Sequence, residues 1–107
     1  MFKIAALYKF AKVSNPENLQ TDIRANLKNL SIHGTILIGQ EGLNGTISGS
    51  KKNIDKAIAY IRQLKNFKDT DVKFSEANIN PFIRLKIKLK DEIVTIGDKT
   101  INPVSIS

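Results

Sequence analysis

The sequence predicts an α+β sandwich of the split βαβ, ferredoxin-like type. In it an antiparallel sheet carries two helices on one face, in the order βαββαβ, with an extra strand at the C-terminal end. Three observations predict it. Two segments carry apolar residues at helical spacing. Short β-type segments flank each of them. Finally, Ile83-Arg84-Leu85-Lys86-Ile87-Lys88-Leu89-Lys90 alternates apolar and cationic residues without a break.

The elements follow in order. Phe2 to Phe10 is apolar and aromatic and reads as the first strand, its rings Phe2, Tyr8 and Phe10 serving chiefly as core. Ser14-Asn15-Pro16-Glu17 starts a helix with a capping side chain, a proline near the first helical position and an acid in the first turn. Leu19, Ile23, Leu27 and Leu30 make its buried stripe, which runs to about Ser31, and Gly34 marks the exit. Thr35 to Ile38 and Thr46 to Ser48 are the next two strands. Gln40 to Gly45 lies between them, and the Asn44-Gly45 dipeptide is expected to form the hairpin turn with Gly45 at positive φ. Ser50 caps a second helix whose buried face is Ile54, Ala57, Ile58, Ile61 and Leu64, ending within residues 66–69. Asp71 to Ser75 is a fourth strand. Residues 77–81 connect it to the basic strand, expected over Phe82 to Asp91, and Glu92 to Gly97 is a final extended segment. Leu19, Ile23, Leu27, Ile54, Ile58 and Ile61 are expected to face Leu85, Ile87 and the first strand. Residues 1–97 thus form one domain, followed by a linker over 98–107.

The basic strand carries the functional argument. Side chains alternate faces along a strand, with roughly 6.6 Å between neighbours on one face. One face of this strand enters a core, and the other presents Arg84, Lys86, Lys88 and Lys90 in a row. Lys9 and Lys12, at the end of the first strand, are expected to extend the patch. With a net charge of +7 over 107 residues and a pI near 9.8, such a surface favours polyanions, RNA foremost. The competing reading is a solvated sheet face whose lysines guard an edge against strand addition.

Other chemistries find little support. The chain has no cysteine, which removes disulfides, thiolate metal sites and a cysteine nucleophile, and suits the reducing cytoplasm, the compartment expected. Its one histidine, His33, has no cysteine or clustered acids beside it. It reads as a loop or helix-end residue; no metal, no cofactor and no catalytic residue is assigned. The apolar runs fall far short of the ~20 residues of a membrane span, and the N-terminus lacks a signal-peptide pattern. Gly39, Gly42, Gly45 and Gly49 match neither a P-loop nor a dinucleotide fingerprint. Gly42-Leu43-Asn44-Gly45 fits the GXXG of KH domains, but that loop joins helices and this one joins strands. Glu41 and Asn44 at the hairpin are solvated turn residues or contacts to a ligand or a neighbouring domain. An RRM-like stacking platform on the first strand is disfavoured, because the third strand, Thr46-Ile47-Ser48, carries no aromatic partner.

Leu37 to Gly49, with Glu41-Gly42-Leu43-Asn44-Gly45-Thr46-Ile47-Ser48 at its centre, resembles the E-G-[IL]-N-[GA]-x-[IV]-S signature of the bacterial rhodanese-containing tRNA uridine hydroxylases. Asn80 to Lys88 and Glu92 to Gly97 resemble that family's P-F-x-R-x-K-[IV]-K and E-I-V-T-x-G segments, and Tyr8-Lys9-Phe10 its Y-[KR]-[YF] element. The resemblance implies an N-terminal, acylphosphatase-like domain, with the chain stopping about where a linker to a rhodanese domain begins. It implies a parent that uses dioxygen to hydroxylate the wobble uridine of certain tRNAs to 5-hydroxyuridine. Within that parent the chain is expected to contact tRNA without catalysing the reaction. The alternative is a structural domain that packs on and shapes the rhodanese active site. Acyl phosphate hydrolysis is not expected: the loop Ala11 to Pro16 lacks the glycine and arginine that acylphosphatases use there.

Overall fold

The computed structural model describes residues 1–90. The elements are β1 (Phe2–Phe10), α1 (Pro16–Asn29), β2 (His33–Gly39), β3 (Gly42–Gly49), α2 (Lys51–Gln63), β4 (Asp71–Ala77) and β5 (Leu85–Leu89). They form a five-stranded sheet in the order β4-β1-β3-β2-β5. The first four strands make the antiparallel βαββαβ arrangement. The extra strand β5 adds to β2 in parallel, so the sheet as a whole is mixed. The expected segment 92–97 and linker 98–107 lie outside the described residues.

Both helices begin as their sequences dictate. The Asn15 side chain accepts from Asn18 N at 3.1 Å, with Pro16 in the first turn of α1. Ser50 Oγ accepts from Asn53 N at 3.2 Å and opens α2. Ile23 and Leu27 from α1, with Ile54, Ala57, Ile58 and Ile61 from α2, pack on Ala5, Leu7, Ile36, Ile38, Leu43, Ile47 and Ile87 of the sheet. Leu19 and Leu85 are partly buried at the margin of this core. α1 covers β2 and β5, and α2 covers β1 and β3. Among the described residues, the other face of the sheet carries no helix.

Three expectations change. First, the hairpin turn is Gln40-Glu41, with Gly39 paired to Gly42. Gly42, at φ +137°, supplies the conformation that other residues avoid. Ala11 N and Val13 N donate to Glu41 O and Gln40 O, so the chain after β1 clasps the turn from the side. Asn44 and Gly45 sit inside β3. Gly45 is required there for closeness rather than for φ: a Cβ would collide with Thr35 O and Ile36 Cα of β2.

Second, the basic strand is shorter than its alternation. Regular β5 starts at Leu85. Ile83 is 90% exposed on the connection before it, whereas Ile87 is 2% exposed. Phe82 and Ile83 have no strand partner among the described residues, where Asn80 folds this connection back over the end of the sheet. Asn80 Oδ1 accepts from Ser48 Oγ at 2.5 Å and from Phe82 N at 3.2 Å, and its Nδ2 lies 3.0 Å from His33 Nδ1. His33 therefore opens β2 and fastens this connection, instead of lying in a loop. Third, Tyr8 and Phe10 are not core residues: they are 50% and 78% exposed.

The outer edge of β5 is partly sealed by α1. Gln20 Nε2 and Arg24 Nη2 donate to Ile87 O at 2.7 and 3.0 Å. This satisfies an outward carbonyl that another strand would otherwise find.

Candidate nucleic-acid interface

The helix-free face of the sheet is built by strand alternation. On β1, Ala5 and Leu7 enter the core, so Ala6, Tyr8 and Phe10 turn the other way. Register carries this across the sheet. Lys73 of β4, Ala6, Thr46 of β3, Thr35 of β2 and Lys86 of β5 form one row. Asp71, Tyr8, Asn44, Leu37 and Lys88 form the next. Lys86 and Lys88 are exposed and make no ion pair among the described residues. Arg84 is exposed just before β5, where its carbonyl accepts from Gly34 N.

Lys90 lies beyond the end of β5, its amide donating to Ile38 O at 2.7 Å. Its Nζ is 3.0 Å from Glu41 Oε1, so the hairpin carboxylate is used locally and offsets one cation at that corner. Asn44 is exposed between Tyr8 and Leu37. Two shallow grooves border Tyr8. One, of about 500 Å³, is lined by Ala6, Tyr8, Asn44, Thr46, Asp71 and Lys73. The other, of about 300 Å³, is lined by Tyr8, Phe10, Leu37, Glu41, Asn44 and Lys90.

The structure thus brings together Arg84, Lys86, Lys88 and Asn44, with Glu41 at the corner. It does not bring Lys9 and Lys12 to them. Lys9 is on the helix side of β1, the parity of Leu7, and its Nζ pairs with Asp69 Oδ1 at 2.8 Å. That lysine hydrogen bond, followed by Asp69's own backbone, holds the exposed Asp69 carboxyl below its ordinary value. Lys12 is exposed on the loop before α1, facing the C-terminal end of α2 across a third groove. Lys73 joins the face from β4, which the sequence could not reveal without the strand order. No group of three or more His, Cys, Asp or Glu among the described residues could hold a metal. No helix among them is long and apolar enough to cross a membrane.

Residues 2–93 match the family described as UPF0176 acylphosphatase like domain. The chain is 42% identical over 105 residues to a tRNA uridine(34) hydroxylase of Bartonella quintana, covering 98% of this chain and 34% of that protein. It is 41% identical over 107 residues to the protein of the same name from Nitrobacter hamburgensis, covering 96% and 42%. The chain therefore spans only about a third to two-fifths of these relatives' length. Among solved structures, an acylphosphatase from Coxiella burnetii shares the fold, with a TM-score of 0.56 at 11% identity over 79% of this chain and 90% of that one.

Proposed function

The chain belongs to the UPF0176 acylphosphatase-like domain family, and from its similarity to the tRNA uridine(34) hydroxylases of Bartonella quintana and Nitrobacter hamburgensis we propose that it is the N-terminal, tRNA-contacting part of such an enzyme, acting in the cytoplasm. A rhodanese domain elsewhere in the parent carries out the hydroxylation. The present chain, without cysteine and with its one histidine tied to Asn80, contributes binding and no chemistry. The observation that carries the reading is the helix-free sheet face. Lys73, Lys86 and Lys88 lie on it with Arg84 at its margin, while the carboxylate of Glu41 is engaged by Lys90. Cations on a strand scaffold are held at fixed spacing, which suits the regular spacing of phosphates along an RNA backbone. Phosphate contacts of this kind position an RNA without reading its sequence, so the choice of tRNA falls to other contacts of the parent.

A second reading, that the domain packs on and shapes the rhodanese domain, is favoured by one observation. Ile79 and Ile83 are 80% and 90% exposed on the connection before β5, an apolar pair with no partner in the described residues. The two readings use different surfaces and separate by experiment. Fluorescence anisotropy of labelled tRNA with this 107-residue chain should show binding that weakens steeply with salt. Absence of tRNA binding at low salt would leave only the packing role.

A further inference from the structure

Tyr8 and Phe10 carry no cation, yet they occupy the middle and the end of the helix-free face. Their rings are 50% and 78% exposed and contact each other edge to face, with centroids 6.2 Å apart and planes at 67°. The two grooves beside Tyr8 have apolar floors from Ala6 and Leu37 and share Asn44, whose amide offers both donors and an acceptor. The row through Ala6 has a cation at each end, Lys73 on β4 and Lys86 on β5, while the row through Tyr8 runs from the carboxylate of Asp71 on β4 to Lys88 on β5. From Tyr8 to Lys88 is three strand spacings, about 14 Å.

We propose that this face seats unpaired RNA bases, one in each groove against the Tyr8 ring, with Phe10 closing the second seat. Resting on the tRNA-contacting reading, it narrows the ligand to a single-stranded segment, such as a tRNA loop. Four features support that occupant. Aromatic faces accept any base by stacking. The Asn44 amide can meet a base edge. The lysines of β5 lie where the backbone of a strand crossing the sheet would run. Bases inside a duplex are stacked on one another and cannot enter such seats, so a loop fits and a helix does not.

The test uses this chain with three probes at one low salt concentration: a uridine-rich heptamer, a duplex containing it, and the heptamer with one 2-aminopurine. Both rings are exposed, so Tyr8→Ala and Phe10→Ala should keep the fold, which circular dichroism checks. The heptamer should bind more tightly than the duplex. Tyr8→Ala should weaken heptamer binding about fivefold or more with an unchanged salt slope, whereas Tyr8→Phe should bind as the unaltered chain does. 2-Aminopurine fluorescence should be quenched on binding, and the quenching lost in Tyr8→Ala. If tRNA and heptamer bind with salt dependence but Tyr8→Ala and Phe10→Ala change nothing, stacking is overturned and the tRNA-contacting reading stands. If neither RNA binds, both fall.

Discussion

Replacing Ile87 and, separately, Ile83 by alanine tests how β5 is held. The residues are four apart in one alternating run and share its apolar parity. Ile87 is 2% exposed against α1 and pairs with Ile36 of β2, while Ile83 is 90% exposed. Each substitution deletes three carbons. At Ile87 these carbons leave water on folding, and at about 0.8 kcal/mol each their loss costs about 2.4 kcal/mol. Incomplete collapse of the space left behind adds to this, within the usual range of about 2–5 kcal/mol. At Ile83 the carbons are wet in both states, so the cost should stay within about 0.5 kcal/mol. Urea unfolding followed by circular dichroism gives both values, provided the m-value is unchanged. Ile87→Ala should also lower the melting temperature by roughly 8 °C or more. Equal losses at the two sites would refute the reasoning. They would mean either that Ile83 is buried or that β5 is not docked on α1.

Three other substitutions follow from the geometry. Gly45→Ala should cost about 1–3 kcal/mol, because the new Cβ meets the β2 backbone at Thr35 and Ile36. Gly39→Ala, whose Cβ would make only ordinary contact with Lys90, should be near neutral; the same urea titration would reject this packing if the order were reversed. The folded pKa of Asp69 is depressed, chiefly by its bond from Lys9. The pair's contribution is thus present above the unfolded carboxylate value of about 3.9 and lost as pH falls through the folded one. Lys9→Met should raise the Asp69 pKa towards its ordinary value in a carboxyl-carbon NMR titration, and an unmoved pKa would remove Lys9 as the cause.

Much of the fold was legible because periodicity and capping agree in both helices. Asn15 with Pro16, and Ser50, mark their starts, and Ile23, Leu27, Ile54, Ile58 and Ile61 are the buried stripe. The hairpin misled because Asn44-Gly45 carries the stronger local turn signal. Tertiary packing uses Gly45 for close strand approach and gives the turn to Gln40-Glu41. The basic run misled at its start because alternation reports parity and not pairing, and Asn80 holds Phe82 and Ile83 away from the ladder. On β1 both parities are mixed: Lys3, Ala5, Leu7 and Lys9 on one side, Ile4, Ala6, Tyr8 and Phe10 on the other. Lys3 and Lys9 are on the core side, where their ammonium groups reach Asp55 and Asp69 at its margin. This frees Tyr8 and Phe10 for the open face. The candidate site was therefore half visible: β5 announces its cations, but Lys73 and the two rings join them only through the strand order.

The most direct test of the central claim is the salt dependence of tRNA affinity for this chain, compared with a variant carrying Arg84→Ala, Lys86→Ala and Lys88→Ala. All three side chains are exposed, so the variant should remain folded. Each phosphate contact contributes about 0.7–0.9 to the slope of log affinity against log salt. The variant's slope should therefore be shallower by about two, while Lys9→Met, on the opposite face, leaves the slope unchanged. Equal slopes for the chain and the triple variant would contradict the assignment of the helix-free face as the RNA-contacting surface.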